Sequence, residues 1–124
     1  MFDYILLISA ILFVCIDFFY LNLMKGYFEK QIQIIQGSKP QIKYTGVLIC
    51  YLFLVIGLYY FIIKPKKSVS DAFLFGLVVY AVYESTNYAL FNKWSILTLV
   101  MDTLWGGILF ALTTNIVNML RNII

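Results

Sequence analysis

Residues 44–63 have the sequence YTGVLICYLFLVIGLYYFII, a run of twenty residues that contains no charged side chain. A helix of about 20 apolar residues is long enough to cross the hydrocarbon core of a bilayer, which is roughly 30 Å thick. Three more apolar runs of similar length occur at about residues 4–24, 72–91 and 94–117. None of them alternates polar and apolar residues as the strands of a transmembrane barrel do. The sequence therefore predicts an all-α integral membrane protein, a four-helix transmembrane bundle that forms a single domain over residues 1–124.

The composition excludes most classes of water-soluble protein. Hydrophobic residues make up 63% of the chain and charged residues 12%, with a mean hydropathy of +0.92. A soluble domain has about 25% charged residues, so this chain has too few to cover its surface in water. The chain has no histidine, and Cys15 and Cys50 stand in apolar runs without the spacing of a metal or redox motif. We therefore expect a multi-pass protein of the lipid bilayer with no cofactor and no nucleic-acid partner, while the identity of any bound metal stays open.

The connections between the four runs differ in length. Residues 64–71 form a short loop in which Pro65 ends one helix and Ser70 is expected to cap the next, and residues 91–94 form a tight hairpin. In the longest connection, residues 25–43, apolar side chains are mixed with Lys, Glu and Gln. This mixture is compatible with an amphipathic segment at the membrane interface, but we expect a solvated loop. Lys and Arg are shared almost equally between the two predicted faces, so the orientation and the host membrane stay open.

Three acidic residues lie inside the apolar runs, and no basic residue accompanies them there. From the rise of about 1.5 Å per residue, Asp17, Glu84 and Asp102 lie about 20, 18 and 18 Å from the face that holds the chain ends. The three acids are therefore expected to share one layer of the bundle. Ionised carboxylates in an apolar layer repel each other and lose their hydration. We expect that one or two of them are protonated, or that a cation from outside balances them.

Polar and aromatic side chains accompany the acids in helical register. On the third run Tyr80, Glu84 and Asn87 share a stripe, with Tyr83 beside it. Such faces are expected to point inward, because lipid offers no hydrogen-bond partners. An alternative is that these side chains only hold the helices together through interhelical hydrogen bonds. The predicted ligand- or cation-binding residues are Asp17, Tyr80, Tyr83, Glu84, Asn87, Asp102 and Trp105.

Two of these segments resemble the motifs of a known family. Residues 83–87, with the sequence YESTN, resemble its Tyr-Asp-Leu-Thr-Asn signature, and residues 102–106, DTLWG, resemble its Asp-x-x-Trp-Gly segment. Asp17 with Leu21 is similar to its first-helix Asp-x-x-x-Leu pattern, and residues 61–65 are similar to its Phe-x-x-x-Pro pattern. The family is the one catalogued as domain of unknown function 2177, whose members are small membrane proteins without an established activity. The resemblance implies the fold and the importance of the same three acids, although Glu84 replaces the usual Asp, and it implies no function.

The leading functional hypothesis is a membrane protein whose acidic intramembrane site binds a proton, a cation or a small polar ligand. Proton- or cation-coupled transport is its specific form, and a homo-oligomer is expected because four helices make a thin wall for a pathway. A second hypothesis is a structural or accessory subunit whose acids pair with a basic residue of a partner's span. A third is a lipid-modifying integral membrane enzyme that uses two acids as a general acid and base. No nucleophile motif and no phosphate-binding loop supports an enzyme, so the sequence favours a protein without catalytic activity.

Overall fold

The computed structural model describes residues 3–123, which fold into helices joined by short connections. Over this range the helices are α1 (Tyr4–Leu23), α2 (Lys25–Gln36), α3 (Tyr44–Leu58), α4 (Val69–Leu90) and α5 (Ile96–Ile123). A π-helical turn, Tyr59–Ile63, continues α3. The predicted all-α class is confirmed.

Three stretches are long and apolar enough to cross a membrane, namely Tyr4–Leu23, Tyr44–Ile63 and Ile96–Ile123. They correspond to the first, second and fourth predicted runs. The 22-residue helix α4, which corresponds to the third run, is not among them. Its acidic and amide side chains lower its average hydropathy below that of α1 and α3. The described residues thus contain three candidate spans. Of the predicted four-helix transmembrane bundle, only the all-helical fold is confirmed.

The ends of α4 and α5 differ slightly from the prediction. Ser68 caps α4 instead of Ser70, because its hydroxyl oxygen accepts a hydrogen bond from the Asp71 amide at 3.0 Å. At the start of α5, the Trp94 amide donates to the Phe91 carbonyl, which closes a turn before the helix begins. Each boundary is therefore set by local hydrogen bonds that hydropathy does not describe.

The segment expected to be a solvated loop contains helix α2, so that expectation is wrong for residues 25–36. Tyr27, Gln31 and Ile35 recur at four-residue spacing and therefore share one face of the helix. Gln31 is buried on this face. The helix ends at Gly37, whose φ of 77° is the left-handed conformation that glycine adopts without strain.

Helices α4 and α5 pack closely through glycine. A Cβ atom added to Gly76 would clash with the Gly106 carbonyl and would lie 2.7 Å from Cγ of Phe110. Phe110 is fully buried, and its ring makes an edge contact with Phe13 of α1 at a centroid distance of 5.4 Å. This small-residue contact between α4 and α5, together with the ring contact to α1, forms the centre of the bundle.

Helix α3 packs against the rest of the protein only through its second half. Every residue from 41 to 50 is exposed, whereas Leu58, Ile62 and Ile63 are buried. At this end, Nη2 of Arg121 donates to the Ile63 carbonyl at 3.0 Å. The first half of α3 therefore stands away from α4 and leaves room for a cavity.

Candidate functional site

The three acids of the apolar runs lie at the same level of the structure. Asp17 lies six residues before the end of α1, Glu84 six residues before the end of α4, and Asp102 six residues after the start of α5. Each acid is thus about 9 Å from the helix end on the same side. Their exposed fractions are 6%, 1% and 9%, so all three carboxyl groups are buried.

Asp17 accepts hydrogen bonds from two other helices. The Tyr51 hydroxyl of α3 donates to Oδ2 at 2.5 Å, and Nε1 of Trp105 in α5 donates to Oδ1 at 2.9 Å. Hydrogen bonds to a carboxylate are stronger than those between neutral groups. Asp17 therefore joins α1, α3 and α5 at the level of the acids.

Glu84 and Asp102 form a pair between α4 and α5. Their carboxyl groups interact with each other across the contact between the two helices. Nε1 of Trp94 donates to Oε1 of Glu84 at 2.8 Å, and the Tyr20 hydroxyl is 3.5 Å from Oδ1 of Asp102. An ionised carboxylate only accepts hydrogen bonds, so a bond between the two carboxyl groups requires one proton.

The acids have no positive partner within the described part of the chain. Over residues 3–123 the ion pair found is Lys25 with Glu29, at 4.0 Å on the exposed surface of α2. Tyr20 also connects the acids, because its ring stacks on the Trp105 ring at 4.3 Å while its hydroxyl faces Asp102. The layer therefore holds three carboxyl groups, aromatic rings and no base.

A cavity of about 1090 Å³ opens beside this layer. All three acids line it, together with Tyr20, Tyr51 and Tyr80. On one side of the acids the wall consists of α2, and on the other side it is apolar as far as Gly57 and Phe75. The acids thus lie in the wall of a space that is large enough for a small organic molecule.

Helix α2 is fixed over one end of the cavity by Gln31. Nε2 of Gln31 donates to the Lys93 carbonyl at 3.0 Å, and its Oε1 accepts from the Thr98 hydroxyl at 3.0 Å and the Ser95 amide at 3.3 Å. The hydroxyl groups of Tyr27 and Thr98 also share a hydrogen bond at 2.7 Å. These bonds attach α2 to the connection between α4 and α5.

The structure brings together most, but not all, of the predicted site residues. Tyr80 lines the cavity, with its ring against Gly106, and Trp105 contacts Asp17. Tyr83 is at the edge of the cavity and is 59% exposed. Asn87 lines an adjoining recess of about 220 Å³ beside α2, which shares Tyr83 and Trp94 with the cavity.

Three residues at the acids were not among those predicted, namely Tyr20, Tyr51 and Trp94. Tyr20 lies three residues after Asp17, which places both on one face of α1. The depth of Tyr51 along α3 is the signal that would have identified it, since it lies seven residues from the helix start. No sequence signal distinguishes Trp94 from an ordinary aromatic residue at the membrane interface.

Comparisons with known proteins agree with these observations. The family of predicted membrane proteins named domain of unknown function 2177 matches residues 3–119, a range that includes all three acids. No curated protein and no solved structure matches the chain. Among residues 3–123, no group of three or more acidic or cysteine side chains has an arrangement that could hold a metal ion. With its three candidate spans, the chain is an integral membrane protein and belongs to the domain of unknown function 2177 family.

Proposed function

We propose that this protein binds a small organic cation at Asp17, Glu84 and Asp102, in exchange for the proton between the last two. The observation that carries the proposal is three buried carboxyl groups without a basic partner in the wall of a cavity of about 1090 Å³. Acids inside a membrane protein are costly and generally serve a ligand or ion. Coupled transport of the cation against a proton is the specific form of this function, and we expect a homo-oligomer to carry it out.

The proposal includes a fourth membrane crossing by α4. The helix has 22 residues and is therefore about 33 Å long, which matches a bilayer core. It is joined to α5, a candidate span, by residues 91–95 alone, and it packs along that helix through Gly76 and Gly106. With this crossing, all four long helices run through the membrane and the acids lie inside it.

An organic cation suits the site better than a hard metal ion. Calcium takes about six to eight oxygen ligands and magnesium retains several waters, whereas this cavity is lined mainly by carbon. A quaternary ammonium needs no hydrogen-bond partners and is attracted to aromatic faces as well as to carboxylates. Tyr20, Tyr51 and Tyr80 supply such rings beside the acids. Charge pairing in this water-poor surrounding would compensate for the lost hydration of the ligand.

Proton exchange follows from the carboxyl pair. The titratable groups that face Asp102 are Glu84 of α4 and both Asp17 and Tyr20 of α1. A cation and the shared proton would compete for the same oxygens, so a lower proton concentration favours cation binding. We expect the affinity to rise about tenfold per pH unit where one proton is released per cation bound.

Isothermal titration of the protein with tetraethylammonium, in lipid nanodiscs, tests the proposal. Measurements at two pH values, and in buffers of different ionisation enthalpy, give the affinity and the number of protons released. We expect Glu84→Gln and Asp102→Asn to weaken binding about tenfold or more, because each removes a charge from the site. Asp71→Asn is the matched control, since Asp71 is exposed in the first turn of α4.

Binding that is equal in the wild type and both site variants would contradict the proposal, as would binding without proton release. Far-ultraviolet circular dichroism of each variant would establish that it is folded. If no cation bound and a second protein co-purified in stoichiometric amount, the accessory-subunit hypothesis would replace this proposal.

A further inference from the structure

The cavity extends well beyond the acids in one direction. Along α3 it continues from Tyr51, at the level of the acids, to Gly57, six residues and about 9 Å further. Along α4 it continues from Glu84 to Phe75, nine residues and about 13 Å away. Its far end is formed by apolar groups, including Phe110, which is fully buried. The three carboxyl groups therefore lie between an apolar end of the cavity and an end formed by α2, where Lys25 and Glu29 also line it.

We propose, building on the cation binding proposed above, that the ligand is a single-chain cationic amphiphile. Its quaternary or protonated amine would lie among Asp17, Glu84 and Asp102, and its hydrocarbon chain would extend to Gly57 and Phe75. A compact hydrophilic cation would fill only the part of the cavity beside the acids and would leave the apolar end without a partner. An uncharged lipid would fill the apolar end and leave the carboxyl groups unbalanced. The separation of charge from apolar surface along one cavity thus matches a molecule with the same separation.

The first half of α3 provides the route by which such a molecule enters. Residues 41–50 are all exposed, and Gly46, Val47 and Cys50 among them line the cavity. A Cβ atom added to Gly46 would have no other atom within 4 Å, so this side of the cavity is open. An amphiphile dissolved in the surrounding lipid therefore reaches the cavity laterally, without passing through water.

Shortening the apolar end tests the position of the chain. At Gly57 an added Cβ would lie 3.6 Å from Cε2 of Phe75, an ordinary contact, so Gly57→Ala is tolerated while Gly57→Phe fills the end of the cavity. Both variants are titrated in nanodiscs with decyltrimethylammonium and with tetramethylammonium, and empty nanodiscs correct for partitioning into lipid. We expect Gly57→Phe to weaken decyltrimethylammonium binding about tenfold, which corresponds to about two methylene groups displaced from the wall. Gly57→Ala should weaken decyltrimethylammonium binding less than Gly57→Phe does, and tetramethylammonium binding should stay unchanged in both. Ile56→Phe is the matched control and should leave both affinities unchanged, because Ile56 is exposed and lies outside the cavity.

A second measurement does not depend on the folding of a Gly57 variant. Cys50 lines the cavity, whereas Cys15 is exposed on α1 outside it. In the Cys15→Ser protein, decyltrimethylammonium should slow the reaction of Cys50 with N-ethylmaleimide. In the Cys50→Ser protein, it should leave the reaction of Cys15 unchanged.

The outcomes separate this inference from the function on which it rests. If Gly57→Phe binds both cations as the wild type does, or if the amphiphile leaves Cys50 unprotected, the inference is overturned. The proposed function then still stands, provided that Glu84→Gln weakens the binding of both cations. If Glu84→Gln changes neither affinity, both the inference and the proposed function fail.

Discussion

Replacing Gly76 with alanine should separate α4 from α5 and destabilise the protein. The added Cβ would lie 2.7 and 2.8 Å from Cγ and Cβ of Phe110 and would also clash with the Gly106 carbonyl. Carbon atoms pack best at about 3.5–4.0 Å, so the helices must move apart by about 1 Å at their point of closest approach. Phe110 is fully buried and Gly106 contributes backbone, so neither can turn away at low cost.

The size of the effect is the difference between two contributions. Overpacking a dense core costs about 1–3 kcal/mol, and the backbone contact puts Gly76 at the upper end of that range. Alanine in a helix interior is favoured over glycine by about 0.5–1 kcal/mol, which offsets part of the loss. We therefore expect Gly76→Ala to lower the free energy of unfolding by about 2 kcal/mol.

Unfolding in mixed micelles with increasing sodium dodecyl sulfate, followed by tryptophan fluorescence, measures this difference. Gly57→Ala is the matched control, because its added Cβ would lie at the ordinary distance of 3.6 Å from Phe75. It should be as stable as the wild type or more stable by up to about 1 kcal/mol. If both variants unfold at the same detergent fraction as the wild type, α4 and α5 are not in close backbone contact and the described packing is incorrect.

Three further predictions follow from single contacts. Gln31→Leu leaves the Lys93 carbonyl and the Ser95 amide without their partner, so hydrogen exchange in α2 should accelerate about tenfold or more. Gln33→Leu, on the exposed face of α2, should change it little. Lys66 has a φ of 59°, so Lys66→Gly should raise the free energy of unfolding by about 0.5–1 kcal/mol, whereas Lys67→Gly should not. Tyr51→Phe removes the hydroxyl group that donates a hydrogen bond to Asp17 and should lower the free energy of unfolding by about 1.5–3 kcal/mol. An unchanged midpoint of unfolding in detergent would refute a strong hydrogen bond between these two residues.

The level of the acids could be predicted because the geometry of a helix is fixed. Once the apolar runs are located, the rise per residue gives the depth of every side chain to within a few ångströms. Asp17, Glu84 and Asp102 therefore fall in one layer whatever the details of packing. The three acids could also be singled out as candidates, since a charged group is conspicuous in a sequence that is otherwise apolar.

The hydrogen-bond donors around the acids could not be predicted in the same way. Tyr51 and Trp94 look like other aromatic residues of a membrane protein until the helices are assembled. Asn87 could not be oriented from the sequence either. It lies three residues after Glu84, a rotation of about 60° around the helix, and this rotation turns it toward the recess beside α2 instead of toward α5.

Helix α2 was missed because its stability does not come from its own sequence. A helix of 12 residues is marginal in isolation, and only five of the twelve side chains of α2 are apolar or aromatic. Its position depends on Gln31, whose partners come from a part of the chain more than 60 residues later. No pattern within residues 25–36 indicates these partners, although the spacing of Tyr27, Gln31 and Ile35 does indicate a helical face.

The polarity of α4 is compatible with the membrane crossing proposed for it once its faces are considered separately. Leu74, Val78 and Val82 recur every four residues and are 58%, 51% and 62% exposed, so they form an apolar stripe on the outside of the protein. Glu84, on another face, is 1% exposed and contacts groups of α5 and the preceding connection. Lipid would contact this stripe, whereas an average over the helix also counts Glu84, which lipid would not meet. Glu84 thus lies on an inward face of α4, while the opposite side offers lipid an apolar stripe, as the proposed crossing requires.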